Sequence, residues 1–63
     1  MTVGDFLKTY DDDAIDVSLH NSDSGLTVFA NIDVIREDGN LWFIRDSDVK
    51  SWNTDGNRIN IKY

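Results

Sequence analysis

The sequence predicts an α+β fold in which a short N-terminal helix packs on a small antiparallel β-sheet of four or five strands. Apolar residues at helical spacing near the N-terminus predict the helix, and strict alternation over residues 14–20 predicts the first strand. The tripeptide Asp-Gly-Asn occurs twice, at 38–40 and 55–57, each time between runs of β-forming residues. Because Asp-Gly favours tight hairpin turns, we expect a meander with two Asp-Gly hairpins.

The helix is expected over residues 2–10. Thr2 is a suitable N-cap, and Asp5 follows it at the spacing of a capping box. Phe6 and Tyr10 lie one turn apart and, with Leu7, give the helix an apolar face. A helix this short is not stable alone in water, so we expect that face to pack against the sheet.

Two strands are expected next. In residues 14–20 the apolar side chains Ile15, Val17 and Leu19 share one face, and polar residues take the other. Turn-forming residues occupy 21–25. The following run, 26–36, begins as a strand, but its eleven residues are long for one strand. We therefore expect a break between residues 30 and 33.

The first hairpin has more apolar surface than one sheet face needs. A two-residue loop at Asp38-Gly39 would pair Ile35 with Trp42, and both faces of the hairpin would then be apolar. Either the helix covers one face and something else covers the other, or the register differs, as a three-residue loop would make it. The candidate interface for self-association or partner binding comprises Ile32, Val34, Leu41, Trp42 and Phe43.

The second hairpin is apolar on one face only. With Asp55-Gly56 as its loop, Trp52 faces Ile59, and Ile61 extends the same face. The other face is polar. We expect Trp52 to belong to the hydrophobic core, although tryptophan is also a frequent interface anchor.

Length limits the chain to one domain, placed at 1–63. A domain this small usually gains stability from disulfides, a metal or a partner chain. The chain has no cysteine and one histidine, which excludes disulfides and thiolate or histidine-rich metal sites within it. We expect no cofactor and a homodimer, for which unpaired edge strands offer one route.

The charge is strongly negative. Twelve acidic residues against six basic ones give a net charge of −6. Because phosphate binding requires a basic surface, direct nucleic-acid binding is disfavoured, and an acidic surface suits a basic partner. The candidate acidic patch comprises Asp11, Asp12, Asp13, Asp16 and Asp23. The run Asp11-Asp12-Asp13 is interpreted as a solvated connection or, alternatively, as a phosphate-mimicking or cation-binding site, and all five aspartates could stand in for the phosphates of DNA.

No catalytic motif is apparent. Ser18 and His20 share a polar strand face, but nothing in the sequence supplies a third group or a pocket. Asp46-Ser47-Asp48 begins like a calcium loop, but Lys50 replaces a ligand and Ser51 the required glycine. We therefore expect a protein that is not an enzyme.

The segment after Met1 lacks the basic and apolar regions of a signal peptide, and no run approaches the length of a membrane span. We expect a complete, cytoplasmic gene product without membrane contact.

Several short segments resemble small acidic accessory proteins encoded by phages of Gram-positive bacteria. These segments are 1–8, 14–17, 49–52 and 59–61, and the resemblance spans most of the chain. That class includes inhibitors of CRISPR systems and of other anti-phage systems such as Hachiman. The resemblance implies a non-enzymatic protein that binds and inhibits a host defence protein, and it carries over no functional residue. The alternatives are a DNA mimic that blocks a nucleic-acid-binding surface, and a structural or assembly module.

Overall fold

The computed structural model describes residues 1–11 and 14–63, which form a four-stranded sheet with three short α-helices on one of its faces. In chain order the elements are α1 (Val3–Leu7), β1 (Asp16–His20), β2 (Thr27–Asn31), α2 (Ile32–Glu37), a 3₁₀ turn (Gly39–Leu41), α3 (Trp42–Arg45), β3 (Ser51–Asp55) and β4 (Arg58–Lys62). The α+β class and the N-terminal helix are confirmed.

The sheet is mixed, so the prediction of a purely antiparallel meander is wrong. Its strand order is β2-β1-β4-β3. The two outer pairs are antiparallel, whereas the central strands β1 and β4 run parallel, with Val17 beside Ile59. Parallel neighbours need a long connection, and the helical segment between β2 and β3 lies within that connection.

The core lies between the helices and one face of the sheet. The sheet contributes Val17, Leu19, Ile59 and Ile61, at alternate positions of the two central strands. The helices contribute Val3, Phe6, Leu7, Ile32, Ile35 and Ile44. All of these side chains are buried, so the three short helices are stabilised by this shared core.

Helix α1 begins as the sequence predicts and ends earlier. The Asp5 amide donates to Thr2 Oγ1 at 3.1 Å, which confirms Thr2 as the N-cap. The helix ends at Leu7, whereas the prediction extended it to residue 10. Its start is tied to the segment before β3, because the Val3 amide donates to the Ser47 carbonyl at 2.8 Å.

Residues 32–37 and 39–45 are helical, so the first Asp-Gly hairpin and its pairing of Ile35 with Trp42 are wrong. Strand β2 ends at Asn31, within the predicted break, and Asn31 caps α2 by accepting from the Asp33 amide at 2.9 Å. Ile32 and Ile35 are both buried at the three-residue spacing of a helix. A segment whose apolar residues would fall on both faces of a strand can therefore form a helix instead. The helix buries some of these residues and leaves the others exposed.

Two arginines hold the helical segment together. The Arg45 guanidinium donates to the carbonyls of Ile35 at 2.7 Å and Asp38 at 2.6 Å. The Arg36 guanidinium donates to the carbonyls of Leu7, at 2.6 Å, and Tyr10. Arg36 thus joins α2 to the end of α1, and Arg45 joins α3 to α2 and to the residue that follows α2.

The second hairpin is present, with its loop moved by one residue. Asp55 pairs with Arg58, so the two loop residues are Gly56 and Asn57. Trp52 is therefore opposite Ile61 instead of Ile59, a shift of two positions that leaves it on the predicted face. Trp52 packs on Phe6 with ring centroids 5.0 Å apart, yet it remains 52% exposed at the sheet edge. The prediction that Trp52 is a core residue is wrong.

Candidate interaction surfaces

The proposed acidic patch is not one cluster among the residues described. Asp12 and Asp13 lie outside them, and Asp11 is exposed. Asp16 begins β1, whereas Asp23 follows its other end in the 21–25 turn. A strand advances by about 3.3 Å per residue, so this strand alone separates them by roughly 13 Å. Asp16 and Asp23 therefore belong to different surfaces.

The candidate interface residues divide into buried and exposed groups. Ile32 is fully buried in the core, so it cannot contact a partner in this fold. Leu41 is partly buried against the same core. Val34, Trp42 and Phe43 are exposed. The excess of apolar residues that the sequence shows is therefore real, but only part of it reaches the surface.

Helix α3 places two aromatic rings outside the core. Of its four residues only Ile44 is buried; Trp42 is 60% exposed and Phe43 51%. Their rings meet edge to face, with centroids 6.2 Å apart. Side chains adjacent in a short helix point in different directions, so burying Ile44 leaves its two predecessors at the surface. Trp42 and Phe43 are here called the α3 aromatic pair.

A depression of about 290 Å³ lies beside Phe43. Its lining combines aromatic, acidic and basic side chains with short polar ones: Asn21, Asp23, Phe43, Ser47, Asp48, Lys50 and Tyr63. Tyr63 is anchored there because its amide donates to the His20 carbonyl at 3.0 Å and its carbonyl accepts from the Ser22 amide at 2.9 Å. Phe43 belongs to the predicted interface and Asp23 to the predicted acidic patch, and the two residues line the same depression.

The charges around this depression are exposed. Lys50 Nζ lies 3.9 Å from an Asp23 carboxylate oxygen, and the N-terminal amine lies 4.0 Å from Asp48. All four groups are at least half exposed, so water weakens both ion pairs and the carboxylates remain accessible to a partner. Asp48 and Tyr63 are not among the interface residues that the sequence predicts, and the one pattern that contains Asp48 is the incomplete calcium loop.

The sheet face opposite the helices is polar and balanced in charge. Its strands place Asp16, Asp55, Arg58 and Lys62 on it. Asn60 Nδ2 donates to Asn53 Oδ1 at 2.9 Å across β4 and β3. Ser18 and His20 share this face as predicted, and His20 Nδ1 lies 2.8 Å from Thr27 Oγ1. With two acidic and two basic residues here, the negative charge of the chain is concentrated elsewhere.

One aromatic side chain stands on this polar face. Phe29 is 66% exposed, and the Arg58 guanidinium lies 5.4 Å from its ring centroid. That distance is within the range of a cation–π contact.

Within residues 1–11 and 14–63, no three His, Cys, Asp or Glu side chains are placed to hold a metal ion. The helices described are also too short to cross a membrane. No protein-family model, curated protein or solved structure matches the chain.

Proposed function

We propose that this chain is a non-enzymatic inhibitor of the phage accessory type that its sequence resembles, and that it binds and blocks a host defence protein in the bacterial cytoplasm. The observation that carries the binding part is the exposure of the α3 aromatic pair beside the exposed carboxylates of Asp23, Asp46 and Asp48, here called the acidic rim. The resemblance supplies the class of target, including CRISPR and Hachiman systems.

The aromatic pair has the chemistry of an interface anchor. Tryptophan and other aromatic residues dominate binding energy when a partner buries them in a pocket. Here the rings of Trp42 and Phe43 contact each other, so a partner would meet one preformed aromatic surface. Fewer side-chain conformations are then lost on binding.

The charge around the depression favours a basic partner. Asp23 and Asp48 line it beside Phe43 together with Lys50, and Asp46 is exposed directly after α3, so carboxylates outnumber basic side chains there. The whole chain carries a net charge of −6. Such a surface attracts a basic partner and repels nucleic acid. Proteins that bind nucleic acid carry basic surfaces, and we propose that the target is one of them.

The DNA-mimic alternative would need acidic groups spaced like phosphates. Asp16 and Asp23 lie at opposite ends of β1, so these two carboxylates of the candidate acidic patch do not form such a row.

The test is phage plating on bacteria that each carry one defence system, with and without this chain expressed. We expect plating to recover in at least one defended strain. The double variant Trp42→Ala/Phe43→Ala should lose this recovery while remaining folded, as circular dichroism would show. If plating recovers in no strain, the chain is better described as a structural or assembly module. Recovery by the double variant would place the binding surface elsewhere.

The acidic rim is tested separately, on the purified complex with the target found in this way. Asp23→Asn/Asp48→Asn should weaken binding most at low salt and reduce its salt dependence. Asp5→Asn/Asp55→Asn makes the same change in net charge away from the depression, and should affect binding less. Equal effects of the two double variants would mean that only net charge matters.

A further inference from the structure

The two outer strands of the sheet differ in how they are protected. In an outer strand, every second residue leaves its amide and carbonyl without a partner in the sheet, and natural proteins discourage pairing there with charges, prolines or bulges. Here β2 and β3 are the outer strands. Only one of them has such protection.

Strand β3 is protected at both ends. The Lys50 amide donates to the Lys62 carbonyl at 2.8 Å, although Lys62 has Ser51 as its register partner. Lys50 and Ser51 on one strand thus oppose the single residue Lys62 on the other, which is the arrangement of a β-bulge. Lys50 precedes the strand, and Asp55 ends it with a second charge.

Strand β2 has no such protection. Its register against β1 is unbroken from Thr27 to Asn31. It lies in the longest uncharged run of the chain, residues 24–32, and residues 26–32 contain neither glycine nor proline. Two large apolar side chains are exposed there, Leu26 at 70% and Phe29 at 66%. Such an edge favours pairing with another strand.

The phase of the hydrogen bonds shows which backbone groups are free. The Asn21 amide donates to the Leu26 carbonyl, and the Ile32 amide to the Ile15 carbonyl, both at 2.9 Å. Antiparallel pairs alternate, so the even-numbered residues of this segment bond to β1. The amides and carbonyls of Thr27 and Phe29, and the Asn31 amide, therefore point out from the sheet.

We propose that the protein forms a homodimer in which β2 pairs antiparallel with β2 of a second copy, about a two-fold axis at Phe29. Phe29 then exchanges both backbone hydrogen bonds with the partner's Phe29. The Asn31 amide donates to the carbonyl of the partner's Thr27. By symmetry, the amide of the partner's Asn31 donates to the Thr27 carbonyl. The two sheets become one continuous sheet.

Side chains on the polar face fit this arrangement. Residues in a hydrogen-bonded antiparallel pair have Cα atoms about 5.5 Å apart, so the two Phe29 rings would contact each other. Arg58 already lies against each ring. Asp16 lines the same depression as Phe29 and Arg58, so acidic and basic charge balance there.

Charge favours a second copy at this edge. Each copy carries a net charge of −6, so most faces of the molecule repel their equivalents. The uncharged run 24–32 avoids that repulsion, and its pairing with itself brings no two like charges opposite each other. This inference does not rest on the proposed target, because a dimer can form whether or not the chain is an inhibitor.

The test is the solution mass of the purified chain by sedimentation equilibrium at about 10–100 µM. We expect 14.4 kDa, twice the 7.2 kDa of one chain. Phe29→Lys places two like charges at the two-fold axis and should raise the dissociation constant at least tenfold. Asn53→Lys makes the equivalent change at the centre of β3, on the same sheet face, and should leave the dimer intact. A monomeric native chain at 100 µM would overturn the proposal.

Amide hydrogen exchange on the native chain provides a test without substitution, in case Phe29→Lys fails to fold. The amides of Phe29 and Asn31 should exchange more slowly as protein concentration rises. The amides of Trp52 and Thr54, which we expect to point outward from β3, should show no such dependence. If protection depends on concentration at β3 and not at β2, the dimer uses the other edge and the proposal is wrong. If it rises at β2 only when a different protein is added, the partner is a foreign strand and the homodimer is excluded.

Discussion

The same tripeptide, Asp-Gly-Asn, forms two different structures in this chain. At 55–57 it belongs to a β-hairpin, and Gly56 has a φ of 60°. At 38–40 it joins two helices, and Asp38 caps a 3₁₀ turn by accepting from the Asn40 amide at 2.9 Å. Gly39 has no positive φ there. The tripeptide is compatible with both turns, and its flanking residues decide between them.

Those flanking residues differ in the period of their buried positions. Before Asp38, the buried residues Ile32 and Ile35 are three apart. After Gly56, the buried residues Ile59 and Ile61 are two apart. A period near 3.6 places apolar residues on one side of a helix, and a period of 2 places them on one side of a strand. The conformation of the tripeptide therefore follows the secondary structure of its flanking segments.

The largest effect that separates the two structures is expected at Ile44. In a hairpin at 38–40, Ile44 and Trp42 would share a face, whereas in the helix only Ile44 is buried. Ile44→Ala should lower the free energy of unfolding by about 2–5 kcal/mol because it leaves a cavity in the core. Trp42→Ala should cost about 1 kcal/mol or less, since the ring is mostly exposed. Urea denaturation measures both.

A domain of this length has little stability to lose, so we expect Ile44→Ala to be only partly folded in water. Ile44→Val is the milder variant, with an expected cost of about 0.5–1.5 kcal/mol. Similar costs for Trp42→Ala and Ile44→Ala would indicate that the two side chains are buried together, as the hairpin requires.

The next effect distinguishes the two glycines. Gly56→Ala places a side chain at positive φ and should cost about 1–2 kcal/mol. Gly39→Ala meets open space at an ordinary φ, so its effect should lie between neutral and a gain of about 0.4–1 kcal/mol from a less flexible unfolded chain. Paired thermal unfolding curves compare the two. A destabilising Gly39→Ala with a neutral Gly56→Ala would reverse the assignment of the two turns.

The sequence was sufficient to predict secondary structure wherever the apolar residues of a segment followed one clear spacing over a few neighbouring positions. Ile15, Val17 and Leu19 alternate with polar residues, and the strand predicted over residues 14–20 is β1, which begins at Asp16; Thr2 caps α1 as its spacing indicates. The second hairpin was placed correctly to within one loop residue because its alternation continues on both sides of Gly56. Each of these features depends on neighbours within a few positions.

The helical segment was missed because its signals are short and its residues favour strands. Ile32, Val34 and Ile35 are β-branched, and in a run this short periodicity alone does not separate helix from strand. The sequence did contain a better indication: Asn31 is a preferred N-cap immediately before two isoleucines three positions apart. Apolar residues on both faces of the supposed hairpin were a further sign that the period was not 2.

The surfaces depend on contacts distant in sequence, which local patterns do not contain. Phe43 and Asp23 share a depression only because the 21–25 turn and Tyr63 are held together beside α3. The parallel pairing of β1 with β4 joins strands separated by most of the chain. It makes β2 an outer strand, and this exposes the edge at Phe29. Neither surface could be located before the strand order was known.

The smallest effect compares the two aspartates that begin the tripeptides. The Asp38 side chain caps the 3₁₀ turn, so Asp38→Ala should cost about 1 kcal/mol. Asp55 is exposed in β3, and Asp55→Ala should change stability by no more than about 0.5 kcal/mol. Both variants remove one negative charge, so the difference between them isolates the cap from the change in net charge. Asp38→Asn keeps an oxygen acceptor and should recover most of the loss; if it is as unstable as Asp38→Ala, the carboxylate charge and not the cap explains the effect.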